Sequence, residues 1–341
     1  MATPPLPLLV RADALARTHA LPWEWTDLTP EEATPAPALV TAEGAVFRDD
    51  AEYRHVLRVG AVGDRDVTVL GALAADEARV RALPEPPPPG HVELWRFGPD
   101  DAPLRLGGPT PMAPRPAPPA SVGLLCDLGR VLVGFRHELF LTHFRLVVDR
   151  PAPAGAFGEL MELLPAVEDG RLSNHELWLR MREPLGLGPD DEGLFRRLWC
   201  SILHPLPAGA EWVRRTVAPP HGAGLVVVSN VDPWRLSWVR EELGLADLLG
   251  DTVASFEPGV RPKFEDDSMW RAALERLVRR RGGRPELVVA LDDRDDNLAT
   301  ADGVADARIL VRHPAQMRRA LADLGVFLPT ARPAVRTARP A

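Results

Sequence analysis

Through the C-terminal part of the chain, short unbroken apolar runs alternate with stretches in which apolar positions return every three or four residues. The runs are Val122–Cys126, Leu225–Val228, Thr252–Ala254, Leu287–Leu291 and Arg308–Val311. Unbroken runs of this length predict strands covered on both faces. Pro233–Leu243, Asp266–Arg280 and Pro314–Leu324 carry the helical period between and after the later runs. Strands alternating with helices predict an α/β fold on a Rossmann-like parallel sheet. Ligands of such sheets bind beyond the carboxyl ends of the strands, so polar residues there are the first place to look for chemistry.

The pattern before residue 112 is different. Ala38–Thr41, His55–Val59, Val67–Leu70 and His91–Trp95 cluster or alternate apolar residues and predict strands, and Ala74–Leu83 reads as a helix. A small α+β domain over 1–112 follows. Trp23 and Trp25 could line a binding face there, although packing in a core or at a sheet edge is the plainer role. Proline, 37 of 341 residues, gathers in Pro84–Pro89 and again in 113–120, Ala-Pro-Arg-Pro-Ala-Pro-Pro-Ala. The second run reads as a stiff linker, because proline fixes φ and lacks an amide hydrogen. It leads into a second domain over 121–328, and the Pro-, Ala- and Arg-rich stretch 329–341 is expected to be disordered.

Composition narrows the function classes. Hydrophobic residues at 45% and charged residues at 26% describe an ordinary globular chain. A net charge of −8 argues against a broad nucleic-acid-binding surface. No apolar run approaches the roughly 20 residues of a membrane helix. The opening Pro-Leu-Pro-Leu-Leu-Val lacks the basic start and apolar core of a signal peptide, so a cytoplasmic location is expected. Two cysteines, Cys126 and Cys200, make no disulfide framework. Of 40 basic residues only Lys263 is a lysine. In a chain that otherwise uses arginine, it marks a place that needs a compact ammonium.

Four polar signals fall at or beyond strand ends. The first run ends in Asp127, within Leu-Leu-Cys-Asp-Leu-Gly-Arg-Val-Leu-Val. The second ends in Ser229-Asn230, and the fourth in Asp292-Asp293-Arg294-Asp295-Asp296-Asn297. Lys263 follows the third run in Gly-Val-Arg-Pro-Lys-Phe. In this order and spacing the chain resembles the haloacid-dehalogenase-like (HAD) hydrolase superfamily over about residues 121–327. Asp127 with Leu128-Gly129 resembles its first motif, Ser229 its second, Lys263 its third and Asp292-Asp293-x-x-x-Asn297 its fourth. The Ala-Thr-Ala after Asn297 and the His-Pro-Ala-Gln-Met helix also read like this family.

The resemblance implies a phosphohydrolase of small phosphorylated metabolites. Asp127 would be the nucleophile, with Lys263 and Ser229 stabilising the phosphoryl oxygens and Asn230, Gly129 and Arg130 lining the substrate site. It implies Mg²⁺, a hard ion that prefers oxygen, held by Asp127, the Gly129 carbonyl and Asp292, with Asp293 or Asp296 in support. It also implies a small helical cap inserted over about 135–215, with Ser173 as N-cap of one helix. His175 and Trp178 could meet substrate from that cap, though an ordinary helix face is the plainer reading.

Four departures matter. Gly129 stands where the family usually has the aspartate that serves as general acid and base, Arg130 replaces the second glycine of this branch's usual wording, and Gly134 stands where the branch often has an acid. Arg-Pro-Lys-Phe replaces the usual third-motif wording, so Arg261 or Lys263 could fill the site; the uniqueness of Lys263 favours it. His137 and Glu138 could supply a proton, although a solvated helix start is the plainer reading. These departures motivate an alternative: a catalytically weakened or inactive HAD-fold binding protein, with a protein or ligand partner on the N-terminal domain. Dehalogenation, which needs no metal, is disfavoured because clustered carboxylates without a cation repel one another.

Overall fold

The computed structural model describes residues 19–20, 23–28, 36–41, 46–48, 54–60, 68–70, 79, 82–85, 87–98, 102–114, 117–218, 222–312 and 314–326. The stretch 329–341 lies outside them, as does most of Ala74–Leu83, of which Arg79 is helical. Two units divide the chain, one over Pro119–Met317 and one comprising the rest. Among the described residues no helix is long and apolar enough to cross a membrane.

Through residue 114 the described strands all pair antiparallel. They are β1 (His19–Ala20), β2 (Trp23–Leu28), β3 (Ala36–Thr41), β4 (Val46–Arg48), β5 (Arg54–Val59), β6 (Thr68–Leu70), β7 (His91–Phe97), β8 (Leu104–Pro111) and β9 (Ala113–Pro114). They form sheets of order β2-β3-β4 and β6-β5-β7-β8 and the pair β1-β9. Ala113 and Pro114, at the start of the proline-rich stretch, are thus strand residues paired with Ala20 and His19. The sheet β6-β5-β7-β8 buries Val56, Trp95 and Phe97 as a small cluster. The same sheet buries Arg58 against Glu93, 3.4 Å away.

The second unit is α/β. Its strands are β10 (Val122–Cys126), β11 (Val133–Phe135), β12 (Leu203–Pro205), β13 (Gly224–Ser229), β14 (Thr252–Ala254), β15 (Leu287–Asp292) and β16 (Ala307–Leu310). Its helices are α1 (Leu139–Val148), α2 (Ala156–Glu168), α3 (Asn174–Met181), α4 (Glu192–Cys200), α5 (Pro207–Val217), α6 (Pro233–Glu241), α7 (Ser268–Arg281) and α8 (Asp295–Thr300), and α9 (Pro314–Asp323) follows β16. Five strands pair in the order β14-β13-β10-β15-β16. Every pairing in this sheet is parallel. Each residue of β10 is buried, as the unbroken apolar run requires. Met269, Trp270, Ala273 and Leu277 on the inner stripe of α7 pack with Leu125, Val226, Val288 and Ala290 of the sheet.

The chain leaves β10 for β13 and β14 on one side, then crosses to β15 and β16 on the other. β10 is therefore where the winding reverses, and its carboxyl end opens into the crevice such sheets use for ligands. The insertion after β10 rises on an antiparallel stem, in which β11 pairs with β12 and Gly134 lies opposite His204. Helices α1–α4 above the stem share one apolar cluster that includes Phe140, Phe144, Leu160, Trp178, Phe195 and Trp199. Trp234 and Trp238 of α6 pack against that cluster from below. The inserted helices end at Cys200, and α5 follows the stem. Ser173 caps α3 in a reciprocal arrangement with Glu176, each side chain accepting from the other's backbone N–H.

Candidate active site

Asp127 is the first residue beyond β10, and its backbone N–H donates to the Leu291 carbonyl of β15 at 2.8 Å. That bond seats the Asp127 side chain beside Asp292, the last residue of β15. Lys263 arrives on the loop after β14. Its Nζ lies 2.6 Å from Asp127 Oδ1, 2.5 Å from Asp292 Oδ2 and 3.1 Å from the Val228 carbonyl of β13. All three ammonium hydrogens thus have acceptors, and one buried cation ties the ends of three strands together. Lys263 is 1% exposed and Asp292 0%. A charge so deep is tolerated only when paired and hydrogen-bonded.

The loop is fastened by its backbone as well. The Lys263 N–H donates to Asn230 Oδ1 at 3.1 Å, and the Thr300 hydroxyl donates to the Lys263 carbonyl. Trp270 lies under the ammonium, with Nζ 5.5 Å from its ring centroid. Asp292 Oδ1 accepts from Asn297 Nδ2 and from the Arg294 N–H, both at 2.9 Å. Asn297 therefore orients the aspartate at the strand end.

Burial sets the electrostatics. It pushes the Asp127 carboxyl up to about 7, helped by Asp292 and opposed by Lys263. Burial works against the Lys263 charge, yet Asp127 and Asp292 outweigh it and hold the ammonium above its ordinary value. Burial and Asp292 raise Asp293, which Arg130 opposes. Burial, then Asp127, pushes the Cys126 thiol well above its usual range, so it sits in the strand as an inert apolar residue.

Carboxylate oxygens of Asp127, Asp292 and Asp293 all lie within 4.8 Å of one another. Such a set of hard oxygens suits a divalent cation. Asn297 Oδ1, beside Asp292, is buried without a partner. Arg130, in the left-handed conformation at φ 54°, reaches back to Asp293 at 3.6 Å. Its guanidinium lies 5.0 Å from the centroid of the Phe135 ring.

Most of the residues expected at the site converge here: Asp127, Lys263, Asp292, Asp293, Asn230, Gly129 and Arg130. Ser229 is buried at the end of β13, one residue from Asn230. Asp296 does not join them. Its carboxylate is exposed and held by the Arg294 guanidinium, because α8 starts at Asp295 and turns that side chain outward. Arg261 is 71% exposed and pairs with Asp266, whereas Lys263 is the basic residue buried beside Asp127 and Asp292. In the inserted helices Trp178 is core, 1% exposed, and His175 is a surface residue paired with Glu192.

Several residues escaped the sequence reading. Asp232, fully buried at the N-cap of α6, accepts from the N–H groups of Trp234 and Arg235. It also accepts from Asn174 Nδ2 at 2.8 Å and Trp199 Nε1 at 3.0 Å in the insertion. Arg235 donates to Glu168 Oε1 at 3.2 Å and lies 3.9 Å over the Trp199 ring. These contacts pin the inserted helices to the sheet's ligand edge. The Asp-Pro pair at 232–233 is a visible helix-start signal, but nothing in it names the distant partners. Phe135, on the stem, also escaped: a Cβ on Gly129 would lie 3.1 Å from its Cε1 and 3.7 Å from Asp127 Oδ2.

No protein-family model and no curated protein matches the chain. Among solved structures it is similar to a HAD family enzyme of Bacteroides thetaiotaomicron in complex with magnesium and inorganic phosphate, at 19% identity and TM-score 0.43, covering 56% of this chain and 93% of that one. It is also similar to a Porphyromonas gingivalis protein described as a HAD-like family hydrolase, at 19% identity and TM-score 0.42, covering 55% and 90%. A HAD family hydrolase of Deinococcus radiodurans with bound phosphate and sodium matches at 18% identity and TM-score 0.35, covering 61% and 98%. At such identities and scores nothing about substrate or activity carries over from these proteins to this chain.

Proposed function

We propose that the chain is a haloacid-dehalogenase-like phosphohydrolase of small phosphorylated metabolites, with Asp127 as nucleophile and Mg²⁺ as cofactor. The observation that carries this reading is the Lys263 ammonium set between Asp127 and Asp292 at the ends of neighbouring parallel strands, with Asp293 alongside. Lys263 and the exposed Arg130 offset the three carboxylates in part, and a divalent cation would complete the offset.

Asp127, Asp292 and Asp293 would hold the ion, with the Gly129 carbonyl as a further oxygen. When bound, Mg²⁺ supplies positive charge against the phosphoryl oxygens. The chain's own groups do the rest. Lys263 opposes the effect of burial on the Asp127 carboxyl and adds charge next to the incoming dianion. Ser229 and Asn230, at the end of β13, line the same edge and orient the phosphoryl group. Asp127 attacks phosphorus, the bond to the leaving oxygen breaks, and an aspartyl phosphate forms. Water then attacks that phosphorus and returns the free carboxylate with inorganic phosphate. The inserted helices, pinned through Asp232 and Arg235, shield the step from bulk water.

Phosphate release from a panel of phosphorylated metabolites and 4-nitrophenyl phosphate tests the reading. Turnover with Mg²⁺ that is lost in EDTA and in Asp127→Asn is expected. Folded protein that releases no phosphate from any member would sink it.

A further inference from the structure

Resting on the phosphohydrolase reading, we infer that the substrates are phosphoryl compounds whose leaving group departs without a proton, such as acyl and aryl phosphates, rather than alkyl phosphate esters.

The argument starts at Gly129, two residues after the nucleophile. A side chain there would begin 3.7 Å from Asp127 Oδ2, beside the carboxylate that attacks phosphorus. The chain has no side chain at that position, and the Phe135 ring borders the place, 3.1 Å from where the Cβ would stand. A phenyl ring neither gives nor takes a proton.

Among the described side chains, Arg130, Lys263 and His137 do not replace the missing acid. Arg130, over the same ring, carries a guanidinium that does not release a proton in proteins. Lys263 has its three hydrogens on Asp127, Asp292 and Val228. His137 stands edge-on to Phe135, with ring centroids 5.3 Å apart, and its Nδ1 is buried without a partner. Burial, and then the Arg235 charge, lower the His137 pKa, so its imidazole is neutral at pH 7 and a poor acid.

The consequence follows from the bonds. In the first step the Asp127–phosphorus bond forms, the bond from phosphorus to the leaving oxygen breaks, and that oxygen keeps the electron pair. An alkoxide formed this way needs a proton as it leaves, whereas a carboxylate or an acidic phenolate is stable as the anion. General-acid assistance is worth about 10²–10⁴-fold, and only the alkyl esters lose it here. In the second step the leaving group is the Asp127 carboxylate itself. Only the attacking water lacks help, and its protons pass to solvent and to the released phosphate. With an activated substrate the aspartyl phosphate therefore forms faster than it decays.

The test uses the full chain with Mg²⁺ and a series of aryl phosphates of graded phenol acidity, together with acetyl phosphate and glycerol phosphate. The value of kcat/KM is expected to fall steadily as the leaving group becomes less acidic. Glycerol phosphate should lie about 10²-fold or more below acetyl phosphate. 4-Nitrophenyl phosphate should give a burst of nitrophenol equal to the enzyme present. His137→Gln should leave the slope of the series unchanged. A flat series, or glycerol phosphate within about tenfold of acetyl phosphate, overturns the inference while leaving the phosphohydrolase reading intact. A steeper slope in His137→Gln overturns it by making His137 the donor. If no compound, acetyl phosphate included, releases phosphate or labels Asp127, the phosphohydrolase reading falls and this inference with it.

Discussion

Lys263 Nζ lies 2.5 Å from Asp292 Oδ2 and 2.6 Å from Asp127 Oδ1, with all three groups buried. One ammonium thus offsets two carboxylates at the ends of adjacent strands. Removing it leaves both negative charges without a partner, the costly way to break a buried ion pair. Lys263→Met is expected to abolish turnover and to lose about 3–5 kcal/mol of stability at neutral pH. Urea unfolding at pH 7.5 and at pH 5 checks this. The loss should shrink at pH 5, where the Asp127 carboxyl, pushed up to about 7 by burial, is protonated. An equal loss at both pH values would show that packing, not charge, is what Lys263 provides.

Cation binding should read out as stability. A ligand that binds only the folded state at about 100 times its Kd adds about 2.7 kcal/mol. Mg²⁺ is therefore expected to raise the Tm of the unmodified chain. Asp292→Asn should remove that rise, because it takes away a carboxylate of the cluster. Asp296→Asn should keep it, because that carboxylate is exposed and paired with Arg294. Calorimetric melts with and without Mg²⁺ distinguish the two, and the reverse pattern would move the cation to the start of α8.

Much of this site was legible in the sequence because its residues belong to strand ends. An unbroken apolar run that stops at Asp127, Ser229 or Asp292 places each side chain at the same edge of the sheet, whatever follows. The bounds of β10 and β14 agree with those the runs predict. Lys263 stood out as the single lysine among 40 basic residues. Contacts made across the insertion were not legible. Asn174 meets Asp232, and Phe135 fills the space at Gly129, through tertiary packing that no periodicity records. Asp296 was misplaced for a related reason. A run of acids beyond a strand does not say where the next helix begins, and the first turn of α8 decides which of them turn outward. In the N-terminal unit, alternation found β3, β5, β6 and β7, but without strand-end chemistry there it led to no site.

Gly134 shows how a missing side chain can be a packing requirement. It pairs with His204 across the stem, and a Cβ there would fall 2.1 Å from His204 Nε2. Gly134→Ala must therefore displace the imidazole or part the two strands. Overpacking of this kind typically costs about 1–3 kcal/mol. Gly134→Ala with His204→Ala should recover most of the loss, since the two sites share one contact. Thermal unfolding of the single and double variants measures this. Additive losses would show that the backbone, not the ring, is what Gly134 serves.

Glu168 closes α2, with its carboxylate 3.2 Å from an Arg235 guanidinium that also stacks on Trp199. Burial pushes its carboxyl up to about 7, against the pull of Arg235. The folded state therefore holds this proton more tightly than the unfolded chain does, whose value is near the ordinary 4.5. Between those two values the folded state binds more protons, so stability falls as pH rises through the window and levels off above about 7. Glu168→Gln keeps an oxygen to accept from Arg235 and removes the titration. Its stability is expected to fall less steeply between pH 5 and pH 7 than that of the unmodified chain. Because Asp127 titrates in both proteins, the difference between the two profiles isolates Glu168. Urea unfolding at unit pH steps decides the matter: parallel profiles would mean that the Arg235 pair keeps Glu168 ionised throughout, and that this contact between the insertion and α6 is a permanent ion pair.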